Sequence, residues 1–326
     1  MDAIDPKFLP NGFGLYNTGA ICYLNSLLQM LASCTAFTRA VIANCDYVKM
    51  TLTGRAVLEF VLAYGGASDV TMHSSRILDA LVTDMRRRRP GARFGVGQES
   101  ASEALVHLLD MMEPEKEGDA KSAPPVAAES GKYPSSIESP ITRLFLHRFR
   151  CDLHCRACRK RVSSTTEHMI CFNMFKIDRL KHPPNDVKSF SDAVRLDVSA
   201  VSDYECPGCH RRTDAYRVYR LSMVPEIIVC SFNQYNGFGG GKRMRYFPNR
   251  IEMPASAGGM LQFILVGQVE HSGGLDGGHY WARGLRSSGI CLLNDTSVSP
   301  SAFQPTPGTY LVAYHYIRHV LDEQPS

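Results

Sequence analysis

Long apolar runs are missing from this chain. No stretch reaches the roughly 18 residues that a membrane-spanning helix needs, and Met1 to Pro10 lack the basic segment and apolar core of a signal peptide. Charge of one sign is scarce too. With 36 Lys and Arg against 32 Asp and Glu the net charge is only +4, too mild to call for nucleic acid. The run Arg86-Arg87-Arg88-Arg89 reads as a solvated helix end, because cations are favoured at helix C-termini and Pro90-Gly91 stops the helix there. No internal repeat of fixed period is present. Cysteine, by contrast, is plentiful: 11 thiols, an odd number scattered along the chain, suit free thiols plus metal ligands in the reducing cytosol or nucleus better than a disulfide framework. Hydrophobic residues at 44% and charged residues at 21% fit an ordinary globular protein with a substantial core.

The periodicity divides the chain in two. From Asn11 to Met112 it is helical: Leu24, Leu27, Leu28 and Leu31 recur at the spacing of one buried face. Val57 to Tyr64 looks like a second packed helix, Ile77, Leu78, Leu81, Val82 and Met85 mark a third, and Leu105, Leu108, Leu109 and Met112 a fourth, with Ser100 or Ser102 as its N-cap. Composition changes at Glu113, and the Pro-, Glu-, Lys- and Ser-rich stretch to Ser139 reads as a flexible surface insertion. Beyond it, strands are predicted at 142–149, 169–177, 215–221, 227–232, 261–269, 289–293 and 310–316. Helices first and strands after give an α+β fold.

Two features carry chemistry. Gly14-Leu15-Tyr16-Asn17-Thr18-Gly19-Ala20-Ile21-Cys22 runs into the first helix, placing Cys22 at its first turn, where the helix dipole favours a nucleophilic thiolate. A cysteine in an apolar sequence is more often an inert small hydrophobe. Further on, Cys155-Arg156-Ala157-Cys158 and Cys206-Pro207-Gly208-Cys209 are two Cys-x-x-Cys knuckles, together a closed four-thiolate zinc site of structural type. Their separation exceeds that of a compact zinc finger, so each knuckle caps its own hairpin. Metal-free thiols are the alternative, and Cys151, His154 and His210 are nearby substitute ligands. A nucleic-acid-binding zinc ribbon is a further alternative, on account of Arg156, Arg159, Lys160, Arg161, Arg211 and Arg212.

The segment from Gly14 to Gln29 closely resembles the cysteine box of the ubiquitin-specific proteases, papain-like deubiquitinating enzymes. Gln98-Glu99-Ser100-Ala101-Ser102-Glu103, the two knuckles, and Gly277-Gly278-His279-Tyr280-Trp281-Ala282 with Leu293-Asn294-Asp295-Thr296-Ser297-Val298 follow in the family's order. The resemblance implies one catalytic domain over 11–320. Its parts would be a helical thumb (11–112), the insertion (113–139), β fingers clipped by structural Zn2+ (140–235) and a palm (236–320). It further implies a monomeric hydrolase of the bond after ubiquitin's C-terminal glycine, acting through a thioester. Ubiquitin or ubiquitinated proteins would be its partners, with no membrane or nucleic acid. A protease for a ubiquitin-like modifier, or a weakly catalytic ubiquitin-binding scaffold, would use the same boxes.

In that frame Cys22 is the nucleophile and His279, in a glycine-dense run, the base. Asn294 orients the imidazole, with Asp295 beside it as helper or substitute, and the Asn17 amide joins the Cys22 backbone N–H as oxyanion donor. Gln98, Glu103, Gly277, Gly278 and Tyr280 are placed along the substrate tail, and the glycine-rich loops 235–245 and 271–278 cover a tunnel too narrow for side chains. The chain departs from the family at Ile21 (usually Thr), Ser100 (usually Asp) and Ala104 (usually bulky and apolar). The second change removes an acid that helps hold ubiquitin's basic tail, leaving Glu103 to do so.

Overall fold

A computed structural model describes residues 4–63, 70–88, 99–114, 132–133, 139–173, 196–232, 242, 244, 246–255, 258–274 and 277–321. Its helices are α1 (Cys22–Ala32), α2 (Thr35–Ala43), α3 (Cys45–Val48), α4 (Leu52–Ala63), α5 (Val70–Arg88) and α6 (Ala101–Met111). The strands begin with β1 (Lys132–Tyr133), β2 (His147–Cys155), β3 (Arg161–Met169), β4 (Cys171–Asn173), β5 (Leu196–Glu205), β6 (Arg212–Met223) and β7 (Ile227–Ser231). They continue with β8 (Arg250–Pro254), β9 (Met260–Gly273), β10 (Gly278–Arg286), β11 (Gly289–Asn294), β12 (Ser297–Pro300) and β13 (Thr309–Val320). Among the described residues they form two sheets. One runs β1-β3-β2-β6-β5; the larger runs β12-β11-β10-β9-β13-β7-β4, with β8 also paired to β9. The α+β reading holds. β4 and β7, inside the interval 140–235, pair in the larger sheet.

The larger sheet is apolar on both faces, and strand geometry sorts its residues. Ile227, Val229, Leu311 and Ala313 face the helical core, while Ile228, Cys230, Val312 and Tyr314 face a second core with Phe149, Phe172 and Phe263. The period-2 alternation of side chains puts neighbours on opposite faces, so a strand covered on both sides reads as one continuous apolar run.

α1 lies against β10 and β9, and all its residues are buried. Its close approach depends on the strand: a Cβ at Gly284 would stand 2.3 Å from Ser33 Oγ. The buried Arg286 ties down the end of the helix, donating from Nη1 to Ser33 Oγ (2.7 Å) and from Nη2 to the Gln29 carbonyl (3.2 Å). A cation at a helix C-terminus also complements the dipole. α6 is capped by Ser100, whose Oγ accepts from the Glu103 N–H at 3.3 Å. The arginine run ends α5 as expected, with Arg87 paired to Asp84 (2.8 Å) and Arg88 Nη1 donating to the Met111 carbonyl (2.7 Å). Pro90 and Gly91 lie outside the described residues.

The strand expectations need correction in places. Residues 142–144 are a 3-10 turn seated on Ser139, whose Oγ accepts the Thr142 N–H (3.2 Å), and the strand starts only at His147. The 169–177 strand is broken after Met169 and resumes at Cys171–Asn173; 174–177 lie outside the described residues. β3 was not expected because its side chains are mostly exposed, leaving no apolar alternation to read. Lys132–Tyr133, inside the stretch read as a flexible insertion, pairs with Met169 and His168 at the edge of the smaller sheet.

His147 is fully buried, with Nδ1 3.3 Å from the Met169 carbonyl. Burial pushes its imidazole down to about 4 from an ordinary 6.5. Between those values the unfolded chain binds the proton and the folded one does not, so the stability from a neutral His147 is complete above about pH 6.5 and is lost as pH falls toward 4. At about 1.4 kcal/mol per unit, roughly 2 kcal/mol goes between pH 7 and pH 5. Thermal melts of His147→Phe should lose less stability over that interval than the wild type; an equal loss would refute the assignment.

Candidate active site

Cys22 is the first residue of α1 and 4% exposed. The segment before it is shaped by Asn17, whose Oδ1 accepts from the N–H groups of Gly19 (3.4 Å) and Ile21 (3.3 Å). Such side-chain-to-backbone bonds build a local turn without secondary structure. Upstream, Gly14 passes beneath the turn between β11 and β12. A Cβ there would stand 2.4 Å from the Thr296 backbone, so only glycine fits, and Leu15 N–H then reaches the Asp295 carbonyl at 2.8 Å.

His279 stands near the start of β10. The β10–β11 pairing, with Ala282 opposite Leu293, brings Asn294 back beside it, and His279 Nε2 lies 2.6 Å from Asn294 Oδ1. With Nε2 engaged there, Nδ1 is the ring nitrogen left for a proton elsewhere. Asp295 occupies the left-handed region (φ 47°), a conformation that turns its carboxylate back toward the amino-terminal segment. Its Oδ2 accepts from Asn17 Nδ2 (3.1 Å) and its Oδ1 from Asn25 Nδ2 (2.8 Å), while His279 Nε2 is 3.9 Å from Oδ2. One carboxylate thus binds the loop before Cys22, the helix that Cys22 begins, and the neighbourhood of the imidazole. Asn25 was not singled out in the sequence. The available signal was a polar residue on the buried face of an apolar helix, one turn after the cysteine.

Tyr280 points to the opposite face of β10. Its ring meets His271 at 4.3 Å and Tyr310 at 5.5 Å, and Tyr310 OH bonds Ser100 Oγ (2.5 Å) and Ser102 Oγ (3.1 Å) at the head of α6. Glu103 sits in the first turn of that helix. Gly277 and Gly278 are exposed immediately before His279, whereas Gln98 lies outside the described residues. Of the loop 235–245 only Lys242 and Met244 are described, and Lys242 Nζ reaches His271 Nδ1 at 3.1 Å, so the two proposed covers approach each other. Burial, then the charges of Lys242 and His279, push His271 down to about 4.

Far from this corner, the tips of hairpins β2–β3 and β5–β6 carry the two knuckles. They have the same local geometry. Arg159 and His210, each following the second cysteine, are left-handed (φ 59° and 52°), and their N–H groups bond the carbonyls of Cys155 (2.9 Å) and Cys206 (2.8 Å). All four sulfurs lie within 4.8 Å of one another, with Cys155–Cys209 at 3.8 Å and Cys158–Cys206 at 3.9 Å. A tetrahedral ion with bonds of about 2.3 Å to sulfur spaces its ligands at about 3.8 Å, so the cluster fits zinc. The Cys158 N–H draws the Cys155 thiol down to about 7. At Cys209 the Arg211 N–H also favours thiolate, but burial and the three neighbouring sulfurs outweigh it, pushing the thiol up to about 11. Four cysteine sulfurs this close form a group that could hold a metal ion.

The family profile described as ubiquitin carboxyl-terminal hydrolase matches residues 13–316, nearly the whole chain. The chain belongs to that family. Among family members, ubiquitin carboxyl-terminal hydrolase 36 of Drosophila mojavensis is 25% identical over 93% of this chain. Human ubiquitin carboxyl-terminal hydrolase 21 is 24% identical over 88%. The chain spans 26% of the former and 58% of the latter. The fold is that of a subunit in the SAGA DUB module Ubp8/Sgf11/Sus1/Sgf73 bound to monoubiquitin. Here the TM-score is 0.71 and the identity 17%, covering 98% of this chain and 71% of that one. The same module bound to ubiquitin aldehyde gives a TM-score of 0.71 at 16% identity, over 96% and 71% of the two chains.

Proposed function

We propose that this chain hydrolyses the isopeptide or peptide bond after the C-terminal glycine of ubiquitin, with Cys22 as nucleophile. The observation that carries this reading is the His279–Asn294 hydrogen bond beside an Asp295 bonded to Asn17 and Asn25, because it joins a complete set of thiol-protease groups from opposite ends of the chain. Relatives solved with monoubiquitin and ubiquitin aldehyde lend support.

The chemistry follows from the geometry. Asn294 holds the Nε2–H tautomer, so Nδ1 takes the thiol proton and later delivers it to the departing amine. The thiolate attacks the carbonyl, the amine leaves, and water hydrolyses the thioester with His279 acting as base. Asp295 fixes Asn17 through one amide N–H; the other, with the Cys22 N–H, stabilises the oxyanion. The four knuckle cysteines hold zinc, which clips two hairpin tips and takes no part in the reaction. The seven cysteines outside the knuckles, none of them in a disulfide, support a cytoplasmic or nuclear setting.

A ubiquitin-like modifier is a second substrate reading, favoured by Ser100. Its hydroxyl caps α6 and bonds Tyr310, so position 100 offers a basic tail no carboxylate and Glu103 alone of that pair remains. A scaffold reading is disfavoured by the intact site. Incubation with an electrophile built on the ubiquitin C-terminus should give a covalent adduct with the wild type and none with Cys22→Ala. Absence of an adduct from folded, zinc-loaded protein would sink the enzyme reading, and parallel modifier probes would choose between the substrates.

A further inference from the structure

Trp281 is the chain's only tryptophan. It lies two residues after His279 on β10, hence on the same face of the sheet, and the two rings stack at 6.1 Å with 28° between planes. Across β9 it pairs with Glu270, and one step beyond the Ala282–Leu293 pair the same register sets it beside Asn294. The indole therefore adjoins both members of the His279–Asn294 hydrogen bond. Its own position is fixed from below: Nε1 donates to Glu270 Oε2 at 2.8 Å. Glu270 is 1% exposed, and a carboxylate that deep is strongly unfavourable unless paired. Arg283 pairs with it and is held in turn by Ser301 Oγ (3.1 Å), and Thr306 Oγ1 donates to its other oxygen. A core ion pair alone would need no aromatic donor. Here the carboxylate also accepts from the ring that stacks on His279.

We infer that Trp281, clamped through its indole N–H to the buried Glu270, is a positioning residue for His279. The ring covers one face of the imidazole, holds its plane against Asn294 and keeps water from competing for that hydrogen bond. It also presents a π face to the imidazolium formed during the reaction. The inference deepens the proposed hydrolase and rests on it for the kinetic part only.

The single tryptophan supplies a test independent of any substrate. The titratable or charged groups that meet the indole or its partners are His279 and Arg283 on β10, Glu270 on β9 and, 3.9 Å from the imidazole, Asp295 in the β11–β12 turn; His271 on β9 lies on the other face with Tyr280. Protonated imidazole quenches an adjacent indole, so wild-type emission should fall through a single step as His279 charges, and His279→Gln should abolish that step. A step that survives His279→Gln overturns the contact. With a fluorogenic ubiquitin ester, Trp281→Ala should lower kcat about tenfold or more with little change in KM and displace the acid limb of the kcat profile. Trp281→Phe, which restores a ring without the N–H, should recover only part of kcat. Equal kcat and unshifted profiles in all three proteins overturn the positioning role, as does a loss confined to KM. If the wild type is inactive while the emission step still depends on His279, the hydrolase reading fails and the ring contact stands.

Discussion

Replacing His279 by alanine should lower kcat/KM for a ubiquitin-based substrate by on the order of 10⁴-fold, while leaving the melting temperature close to that of the wild type. The ring is half-buried and hydrogen-bonded to Asn294, and its removal opens a site at the end of a strand without emptying a core. Asn294→Ala should be graded below it. That change leaves the base in place but frees its tautomer and orientation, for a loss of about 10- to 100-fold carried mainly by kcat. Asp295→Ala should differ in kind. Its carboxylate bonds Asn17 and Asn25 directly, so both the oxyanion donor and the helix that begins with Cys22 lose their anchor, and thermal stability should fall along with kcat. The checks are steady-state kinetics, thermal melts and single-turnover thioester formation. Asn294→Ala as damaging as His279→Ala, with Asp295→Ala silent, would match a simple three-residue relay and contradict the linking role of Asp295.

Stripping zinc from the knuckles should have the second-largest effect, and on a different quantity. Structural zinc sites of this kind contribute on the order of 10 kcal/mol to the folding of the segments they join. The hairpins β2–β3 and β5–β6 are already joined by the β2–β6 ladder, which runs to Cys155 opposite Ala215, and by an Arg156 N–H bond to the Asp214 carbonyl (3.1 Å). Beyond that the knuckles themselves are held by the four sulfurs, since the Arg156–Asp214 side-chain pair at 3.6 Å is exposed and worth little. Chelation, or Cys206→Ser, should therefore release one metal ion per chain, lower the melting temperature and raise KM for ubiquitin at least tenfold. Alkylation of Cys22 by a small electrophile should persist, since that corner belongs to the other sheet. Protein prepared with zinc yet free of bound metal would refute the site. Simultaneous loss of Cys22 reactivity would mean that the two sheets are not separable in stability.

Much of this was legible early because it is local. The helical stripe of α1 gave the position of Cys22 at a helix start, and Cys-x-x-Cys gave two knuckles whose geometry in the structure is the same. The arginine run closed α5 as read. What failed to show was of two sorts. β3 carries little apolar signal because its side chains are mostly exposed, and the turn at 142–144 was hidden by residues that also suit strands. The other sort is long-range. Nothing in the order of residues says that Asn25 meets Asp295 or that Glu270 lies under Trp281.

By itself, then, the sequence determined which groups this protein owns: a thiol at a helix start, an imidazole among glycines, an amide and a carboxylate side by side, and four paired cysteines. Those are matters of residue type and short spacing, which backbone periodicity turns directly into local structure. Only the tertiary structure decided which of them act on one another. The β10–β11 register carries Asn294 to His279, the left-handed turn at Asp295 sends its carboxylate to both ends of the site, and the β9–β10 register sets a buried acid beneath the ring that touches the base. Register and packing are fixed by which faces are buried across the whole sheet, and no window of local sequence contains that information.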